Sequence, residues 1–253
     1  MILDQFRLDG KVGIVTGASR GLGRAMATGL AEAGADLFIV DRSPLTDTQD
    51  HIRSVGRKCE AMTADLSMSE PVPAIIDSCV KRLGSVDILI NNAGIIRRSP
   101  FLEFSEKDWD DVINVNQRTL FFLSQAAAKV MVQQGRGGKI INVASMLSFQ
   151  GGIMVSSYTA AKSAVMGLTR ILACELAPLG INVNAVAPGY MATENTAPLR
   201  ADADRNKAIL DRIPAGRWGA PEDLQGVVVF LASQASSYMN GYTVAVDGGW
   251  LAR

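Results

Sequence analysis

The sequence is poor in the residues that build metal centres and disulfide frameworks. It has three cysteines and one histidine in 253 residues. Cys59, Cys79 and Cys174 are odd in number and far apart, which favours reduced thiols that fill a core. His51 stands in a polar stretch, and a Ser-His-Asp triad would have to use it. We therefore expect no metal site and no hydrolase triad.

An excess of one charge and a long apolar run are also missing. Twenty-five Lys and Arg balance 25 Asp and Glu, and no basic stripe occurs, which argues against nucleic acid or an anionic membrane as partner. No uncharged run is long enough to span a bilayer, and residues 1–7 lack the pattern of a secretory signal. We expect a cytoplasmic protein with a small-molecule partner.

Apolar residues and glycine are abundant, and they occur in a regular order. The hydrophobic fraction is 48% with 24 glycines, and no linker interrupts the chain. Short β-branched runs predict strands at 11–16, 35–40, 58–64, 86–90, 139–144, 181–187 and 243–246. Helical patterns lie between them at 24–33, 47–55, 71–83, 105–131, 156–176 and 221–232. This alternation predicts an α/β protein: one doubly wound Rossmann-type domain over 1–253, with a seven-stranded parallel sheet and helices on both faces.

The conspicuous polar and glycine residues follow predicted strands directly. Ligands of parallel α/β sheets bind beyond the carboxyl ends of the strands. One crevice at that edge can therefore hold Gly17, Asp41, Asp65, Asn92, Ser145 and Gly189.

The turn after the first strand is rich in glycine. Residues 16–23 read TGASRGLG, a G-x-x-x-G-x-G spacing. Glycines admit positive φ, and the helix that follows offers free N–H groups and its dipole to a phosphate. Any βα turn uses glycine, but the position between a first strand and a first helix favours a dinucleotide site. The predicted contacts are Gly17, Ser19, Arg20, Gly21, Leu22 and Gly23.

Asp41 ends the second predicted strand, 18 residues after Gly23. An acid there accepts hydrogen bonds from the adenosine ribose, and its charge repels a 2′-phosphate. It therefore favours NAD over NADP. Arg20 and Arg42, which we also assign to the cofactor, are nearby cations that weaken this preference.

Tyr158 and Lys162 lie one helical turn apart on the same face. A lysine ammonium near a phenol favours the phenolate. The pKa of free tyrosine is about 10, so action as a base near neutral pH needs a shift worth roughly 3–4 kcal/mol. Ser145, at the end of the fifth strand, can hold a substrate oxygen beside the phenol. Such a pair alone is usually a surface feature, but here it lies at the crevice.

Together these motifs resemble the short-chain dehydrogenase/reductase family. They comprise the glycine turn, residues 91–94 (NNAG), Asn116, Ser145, Tyr158, Lys162 and residues 188–189 (PG). The resemblance implies that Tyr158 exchanges a proton with the reacting oxygen while nicotinamide exchanges hydride with carbon. Ser145 would polarise that oxygen. Lys162 would lower the tyrosine pKa and bind the nicotinamide ribose. Asn116 would orient a water, with Asn114 as the second candidate.

The resemblance also implies further cofactor contacts. Asp65 and Leu66 correspond to the adenine contact, and Asn92 and Gly94 to the wall on the adenosine side. Pro188, Gly189 and Thr193 correspond to the loop around the nicotinamide, with Thr193 at the carboxamide. For Asn91, support of the central sheet is at least as plausible as a ligand contact. The family further implies a homotetramer.

Finer matches point to a sugar acid as substrate. Residues 91–98, 144–152, 188–193, 211–219 and 247–253 resemble a bacterial subgroup of the family. That subgroup interconverts 2-keto-3-deoxy-D-gluconate and its 2,5-diketo form with NAD(H), in the breakdown of pectin-type uronates.

A carboxylate substrate needs a cation. The candidates are Arg97 and Arg98, slightly preferred, and Arg200 and Arg205 in a polar segment, 190–215, without a firm period. This segment is the predicted mobile lid. Besides Ser145 and Tyr158, the predicted substrate contacts are Gln150 and Tyr190.

Three alternatives share part of this pattern. A 3-oxoacyl-[acyl-carrier-protein] reductase has most of the same motifs but usually prefers NADP and a basic surface. Another short-chain polyol dehydrogenase would share the catalytic residues. A regulatory protein that senses NAD without turnover tends to lose a catalytic residue, and none is missing here.

Overall fold

A single parallel sheet forms the centre of the computed structural model, which describes residues 1–253. Its seven strands are β1 (Val12–Thr16), β2 (Asp36–Asp41), β3 (Cys59–Thr63), β4 (Ile88–Asn91), β5 (Gly138–Val143), β6 (Ile181–Pro188) and β7 (Thr243–Val246). Their order in the sheet is β3-β2-β1-β4-β5-β6-β7, and every neighbouring pair is parallel. The predicted fold class is confirmed.

Helices connect these strands. They are α1 (Gly21–Glu32), α2 (Thr46–Ser54), α3 (Val72–Leu83), α4 (Glu106–Ile113), α5 (Leu120–Gln134), α6 (Ser156–Leu176), α7 (Ala197–Ala201), α8 (Ala203–Arg212) and α9 (Gln225–Ala232). None of them is both long and apolar enough to span a membrane.

Apolar side chains alternate between the two faces of the sheet. In β2, Leu37 and Ile39 join one buried cluster, while Phe38 and Val40 join a second. Because successive strand side chains point to opposite faces, a continuous apolar strand supplies both cores. Helices α1 and α9 cover the first face, and α3 and α5 cover the second. Full burial of each such side chain stabilises the fold by about 1.5–3 kcal/mol.

The predicted helix over 105–131 is continuous but not uniform. Ser105 caps its start by accepting a hydrogen bond from the Asp108 N–H. A π-helical segment, Asn114–Thr119, separates α4 from α5. Apolar periodicity does not reveal such a segment, because it inserts one residue without breaking the helix. π-helical insertions occur frequently at functional sites.

The segment 190–215 differs from the prediction. Instead of lacking periodic structure, it contains α7 and α8, and Asp202 caps α8 by accepting from the Arg205 N–H. Helix α7 has only five residues and α8 is mostly polar, so neither gives a clear apolar pattern. Cys174 is a second difference: it is exposed on α6, whereas Cys59 and Cys79 are buried as expected.

Candidate active site

The glycine turn is held by the end of β4. The Asn92 side-chain amide donates to the carbonyls of Thr16 (2.9 Å) and Gly17 (3.0 Å). The Thr16 hydroxyl accepts from the backbone N–H groups of Asn92 and Ala93, each at 3.0 Å. Asn92 therefore fixes the turn, and its predicted contact with the cofactor stays a prediction. Thr16 was missed, since a threonine at a strand end has no distinguishing pattern.

A side chain has no room at Gly23 of this turn. A Cβ on Gly23 would lie 2.0 Å from the Gly17 carbonyl oxygen and 2.5 Å from Asn92 Nδ2. Gly17 has a φ of +66°, in the left-handed region. Helix α1 then begins without a side-chain cap at Arg20, so its first N–H groups lack that partner. The turn therefore fits the pyrophosphate of a dinucleotide.

Asp41 lies against the same turn. Its carboxylate accepts from the Ser19 N–H (3.0 Å), the Ser19 hydroxyl (2.8 Å) and the Ser43 N–H (3.0 Å). Arg42 is exposed and forms no ion pair. The carboxylate is thus oriented by the turn.

The other predicted adenosine contacts also lie at this edge. Asp65 is exposed after β3 and accepts from the Ser67 N–H at 2.9 Å, while Leu66 is buried. Gly94 faces the π-helical segment, because a Cβ on it would lie 3.3 Å from Asn116 Oδ1. Asn91 bonds Ser124 and Asn142 at 2.9 Å each, which is the sheet-supporting alternative.

The loop after β6 closes on the glycine turn from the other side. The Gly189 N–H donates to the Val246 carbonyl at 3.0 Å, and a Cβ on Gly189 would lie 2.6 Å from Asp247 Cα. Thr193 reaches to 3.7 Å from the Cβ position of Gly21. Arg20 pairs with Glu194 at 3.0 Å across this gap. The segment that follows Pro188 therefore flanks the predicted phosphate site.

Tyr158 and Lys162 project from α6 toward the end of β5. The Lys162 ammonium is buried, lies 5.7 Å from the centroid of the Tyr158 ring and donates to the Val143 carbonyl at 2.5 Å. Ser145, two residues after the end of β5 at Val143, is also buried. Its oxygen accepts from the Leu147 N–H at 3.2 Å, so its hydroxyl hydrogen can donate to a substrate or to the phenol. The three predicted residues thus converge.

Burial is the largest influence on the pKa values of Tyr158 and Lys162. It raises the pKa of Tyr158, although the Ser145 hydrogen bond and the charge of Arg98 act to lower it. Burial also lowers the pKa of Lys162 to about 8. The causes that act on the Tyr158 pKa do not include Lys162, so the predicted lowering by this lysine stays a prediction. The ammonium is bonded to the Val143 carbonyl, and desolvation of the phenol outweighs the favourable charges.

Asn116 is buried within the π-helical segment. Its side chain accepts from the Ile95 N–H (2.8 Å) and donates to the Ile95 carbonyl (2.9 Å). Both ends of the amide therefore fix the loop after β4, and the predicted role in orienting a water stays a prediction. Asn114, the second candidate, is only half-buried.

Ser148 was missed by sequence reasoning. Its hydroxyl donates to the Lys162 carbonyl at 2.6 Å and accepts from the Ser145 N–H at 3.3 Å. Ser148 therefore joins the loop that carries Ser145 to α6, the helix that carries Tyr158 and Lys162. The S-x-x-S spacing of a capping motif was the available signal. Met154, in the same connection, has a φ of +64°, which is strained for a side chain other than glycine.

The four arginines predicted as candidates for the substrate carboxylate differ in their partners within the protein. Arg97 pairs with Asp108 and Asp111 of α4, at 3.3 Å each. Arg98 makes one long bond, 3.5 Å, to the Asn195 carbonyl and no ion pair, and its charge acts on Tyr158. Arg200 donates to the Thr193 carbonyl at 3.0 Å, and Arg205 is exposed on α8. Only Arg98 combines a free charge with proximity to the phenol.

Gln150 and Tyr190 belong to a packed cluster. The Gln150 side-chain oxygen accepts from Trp250 Nε1 (3.2 Å) and Arg212 (3.3 Å). The Tyr190 ring lies edge-on to Trp218 and Trp250, with centroids 5.5 and 4.7 Å away. The Gln150 oxygen is thus already bonded within the protein, which leaves its amide hydrogens for a hydroxyl.

Comparison with known proteins agrees with this geometry. A family model described as enoyl-(acyl carrier protein) reductase matches residues 17–251. The 2-dehydro-3-deoxy-D-gluconate 5-dehydrogenase of Escherichia coli strain K12 is 61% identical, with all of both chains covered. The chain belongs to the short-chain dehydrogenase/reductase family. As a member, it is an oxidoreductase that uses a nicotinamide cofactor, and its relatives are dehydrogenases of sugar acids.

Solved structures extend the similarity. A crystal structure from Agrobacterium tumefaciens with bound NADP is 53% identical, with a TM-score of 0.91, and covers 99% of this chain and 100% of that one. A gluconate 5-dehydrogenase from Burkholderia cenocepacia J2315, in complex with NADP and tartrate, is 40% identical. Its TM-score is 0.95, and all of both chains is covered. Both cover the glycine turn, the catalytic helix and the segment 190–215.

Proposed function

We propose that the protein interconverts 2-keto-3-deoxy-D-gluconate and 2,5-diketo-3-deoxy-D-gluconate, with NAD(H) as cofactor. The observation that carries this proposal is the position of the unpaired Arg98 charge beside the Ser145, Tyr158 and Lys162 cluster. A proton-transfer group and a carboxylate receptor then lie at one crevice. The 61% identity to the enzyme from Escherichia coli supports the same substrate.

The chemistry divides between cofactor and protein. Bound nicotinamide supplies or accepts the hydride at the reacting carbon. Tyr158 moves the proton at the reacting oxygen: it donates in the direction of ketone reduction and accepts in the direction of oxidation. The Ser145 hydroxyl donates to that oxygen and holds it beside the phenol. Positioned proton transfer of this kind contributes about 10²–10⁴-fold to the rate.

The raised pKa of Tyr158 affects which direction of the reaction, reduction or oxidation, its phenol serves. A phenol with a pKa above its ordinary value is protonated at neutral pH, which suits donation to a ketone. Oxidation needs the phenolate. The charges of Arg98 and Lys162 then stabilise the negative oxygen, so their effect on rate is larger in the oxidising direction.

Arg98 is our candidate receptor for the substrate carboxylate. Arg97, equally placed by sequence, is neutralised by Asp108 and Asp111. The long bond from Arg98 to Asn195 also links it to the segment 190–215. We propose that this segment is the lid and that the substrate carboxylate replaces the Asn195 carbonyl as the partner of Arg98 when the lid closes.

Asp41 supports NAD as the preferred cofactor. Its oriented carboxylate can accept from ribose hydroxyls, and a 2′-phosphate would bring like charges together. The structures of relatives with bound NADP keep NADP as the alternative. The exposed Arg42 beside Asp41 is the group that would pair with a 2′-phosphate.

The enzyme assay that tests this proposal is a panel of substrates and cofactors. 2-Keto-3-deoxy-D-gluconate, D-gluconate and a 3-oxoacyl thioester are assayed with NAD(H) and NADP(H), in both directions. We expect the highest kcat/KM with the first substrate and NAD(H). Activity confined to the thioester would overturn the sugar-acid proposal, and no turnover of any substrate would favour an NAD-sensing role. In an Asp41→Ala variant we expect the preference for NAD(H) to fall.

We also propose that the protein is a homotetramer, as the family resemblance implies. Apolar side chains exposed on α4 and α6, Trp109 and Ile171, support an interface there. Analytical ultracentrifugation of the full chain tests this proposal, and a monomeric mass would overturn it.

A further inference from the structure

A cavity of about 430 Å³ opens at the amino edge of the sheet, remote from the active site. It lies where β4, β5 and β6 begin, whereas the catalytic residues follow the strands' carboxyl ends. Eleven of its 16 lining residues are not hydrophobic. The charged residues among them are Lys11, Asp87, Arg136 and Lys139. Nothing in the proposed reaction uses this end of the molecule.

Lys139 is the residue that makes the cavity unusual. Its side chain lies at the second position of β5 and the residue is only 8% exposed. The ammonium donates to Asn182 Oδ1 at 2.9 Å and to Ser236 Oγ at 3.4 Å, both neutral acceptors. No carboxylate lies within ion-pair distance of it. A lysine ammonium has three donors, so one remains without a protein acceptor.

Asp87, the one acidic lining residue, is already neutralised by other groups. Arg136 pairs with it at 2.9 Å, and Lys11 lies at 4.0 Å. The Val12 N–H and the Ser85 hydroxyl also donate to it, at 3.0 Å each. Arg136 and Lys11 therefore share this one carboxylate, Lys139 has none, and the cavity carries an excess of positive charge. Burial, together with the charge of Lys11, lowers the pKa of Lys139 to about 8, so the ammonium is still largely protonated at neutral pH.

We propose that this cavity is a binding site for a small tetrahedral oxyanion of the sulfate or phosphate type. Lys139 supplies the buried charge, and Lys11 and Arg136 add positive potential at its sides. A buried charge without a counter-ion is costly, and an anion removes that cost. Charge-assisted hydrogen bonds from the ammonium to the anion oxygens are the strong kind. The volume exceeds that of one such ion, so water or a larger group on the phosphate has room.

Thermal unfolding in the presence of sulfate tests the site. The full-length enzyme is saturated with NADH, so that the glycine turn is occupied, and sodium sulfate is compared with sodium chloride at equal ionic strength. Sulfate stabilises most proteins without saturation, by exclusion from their surface. We expect an additional, saturable rise in Tm for the wild type, because a ligand that binds only the folded state stabilises it.

Two lysine variants separate the site from general salt effects. In Lys139→Met we expect the saturable rise to disappear, and in Lys129→Met, an exposed lysine on α5, we expect it to remain. Lys11→Met covers the case in which Lys139→Met does not fold, and there the half-saturating sulfate concentration should rise about threefold. The proposal is overturned if the wild type shows only the unsaturable rise, or if Lys139→Met and Lys11→Met both respond as the wild type does.

Phosphate and acetate identify the chemistry of the anion. Phosphate should reproduce the saturable effect of sulfate at pH 7, because both are tetrahedral and carry more than one negative charge near that pH. Acetate, with one charge, should bind more weakly. Stronger binding of acetate than of sulfate would contradict a tetrahedral oxyanion site.

Discussion

The two sides of the crevice are built differently. On the cofactor side, backbone atoms and short side chains fix the geometry, as where Asn92 and Thr16 hold the glycine turn. On the proposed substrate side, α7 and α8 are largely exposed, and the arginines differ chiefly in what they pair with. The geometry of the cofactor side depends on close contacts between backbone segments. The geometry of the proposed substrate side depends on a few charged pairs, so single substitutions can change its specificity more easily.

Among the variants that compare the two sides, the largest effect is expected on the cofactor side. In Gly23→Ala, the new Cβ would lie 2.0 Å from a backbone oxygen, so the turn must shift. Displacement of a binding element by about 1 Å costs on the order of a hundredfold, and we expect the KM for NAD(H) to rise by at least that factor. Gly226→Ala, at a helical position with no neighbouring atom, is the control. A Gly23→Ala enzyme with unchanged cofactor affinity would show that the turn does not need its close contacts.

The buried lysine between the two sides should affect stability in a pH-dependent way. The pKa of Lys162 is about 8 in the folded state, below its ordinary 10.5. At pH 7 Lys162 is protonated in both the folded and the unfolded protein. The folded protein then bears the full cost of the buried charge, about 3 kcal/mol. As pH rises through 8 toward 10.5, the folded state releases the proton first and the cost disappears.

Lys162→Met should therefore gain stability relative to the wild type at pH 7 and lose that advantage at pH 10. Urea unfolding at both pH values measures the difference, which we expect to change by up to about 3 kcal/mol. In Lys129→Met, where the lysine is exposed, the difference should not depend on pH. A constant difference for Lys162→Met would mean that the ammonium is not desolvated.

Arg98 tests the substrate side. Truncation of a charge-assisted hydrogen bond costs about 1.5–3 kcal/mol, so Arg98→Ala should raise the KM for the sugar acid by about 10–100-fold. The pH profile of oxidation should also move to higher pH, because the charge of Arg98 lowers the pKa of Tyr158. Arg97→Ala, the ion-paired neighbour, should change KM by less than about threefold. Equal effects of the two variants would contradict a specific carboxylate receptor.

The smallest effect concerns packing beneath the proposed lid. Gln150→Leu removes the acceptor of the Trp250 indole N–H, which is buried. Leaving such a donor unpaired costs about 1–2 kcal/mol of unfolding free energy, measured by urea titration. Gln133→Leu, exposed on α5, should cost almost nothing. If the two variants were equally stable, the cluster of Tyr190 and Trp250 would owe nothing to Gln150.

The same contrast explains what the sequence could predict. Strands, the glycine turn and the Ser145, Tyr158 and Lys162 spacing follow from local patterns, and the structure brings those residues together. The pairing of Arg97 with α4, the π-helical segment around Asn116 and the contact between Gln150 and Trp250 depend on tertiary packing. No spacing reveals them. Burial, which acts to raise the pKa of Tyr158, belongs to the same group, because sequence identifies a neighbouring charge but not the extent of desolvation.

Tyr158→Phe tests the central claim most directly. The variant removes only the phenolic oxygen, so 2-keto-3-deoxy-D-gluconate and NAD(H) should still bind. We expect kcat to fall by about 10²–10⁴-fold in both directions with little change in KM. Tyr242→Phe, an exposed tyrosine far along the chain, should keep wild-type kcat. If Tyr158→Phe turned over the sugar acid at the wild-type rate, the phenol would not be the proton-transfer group, and the account of this site would be wrong.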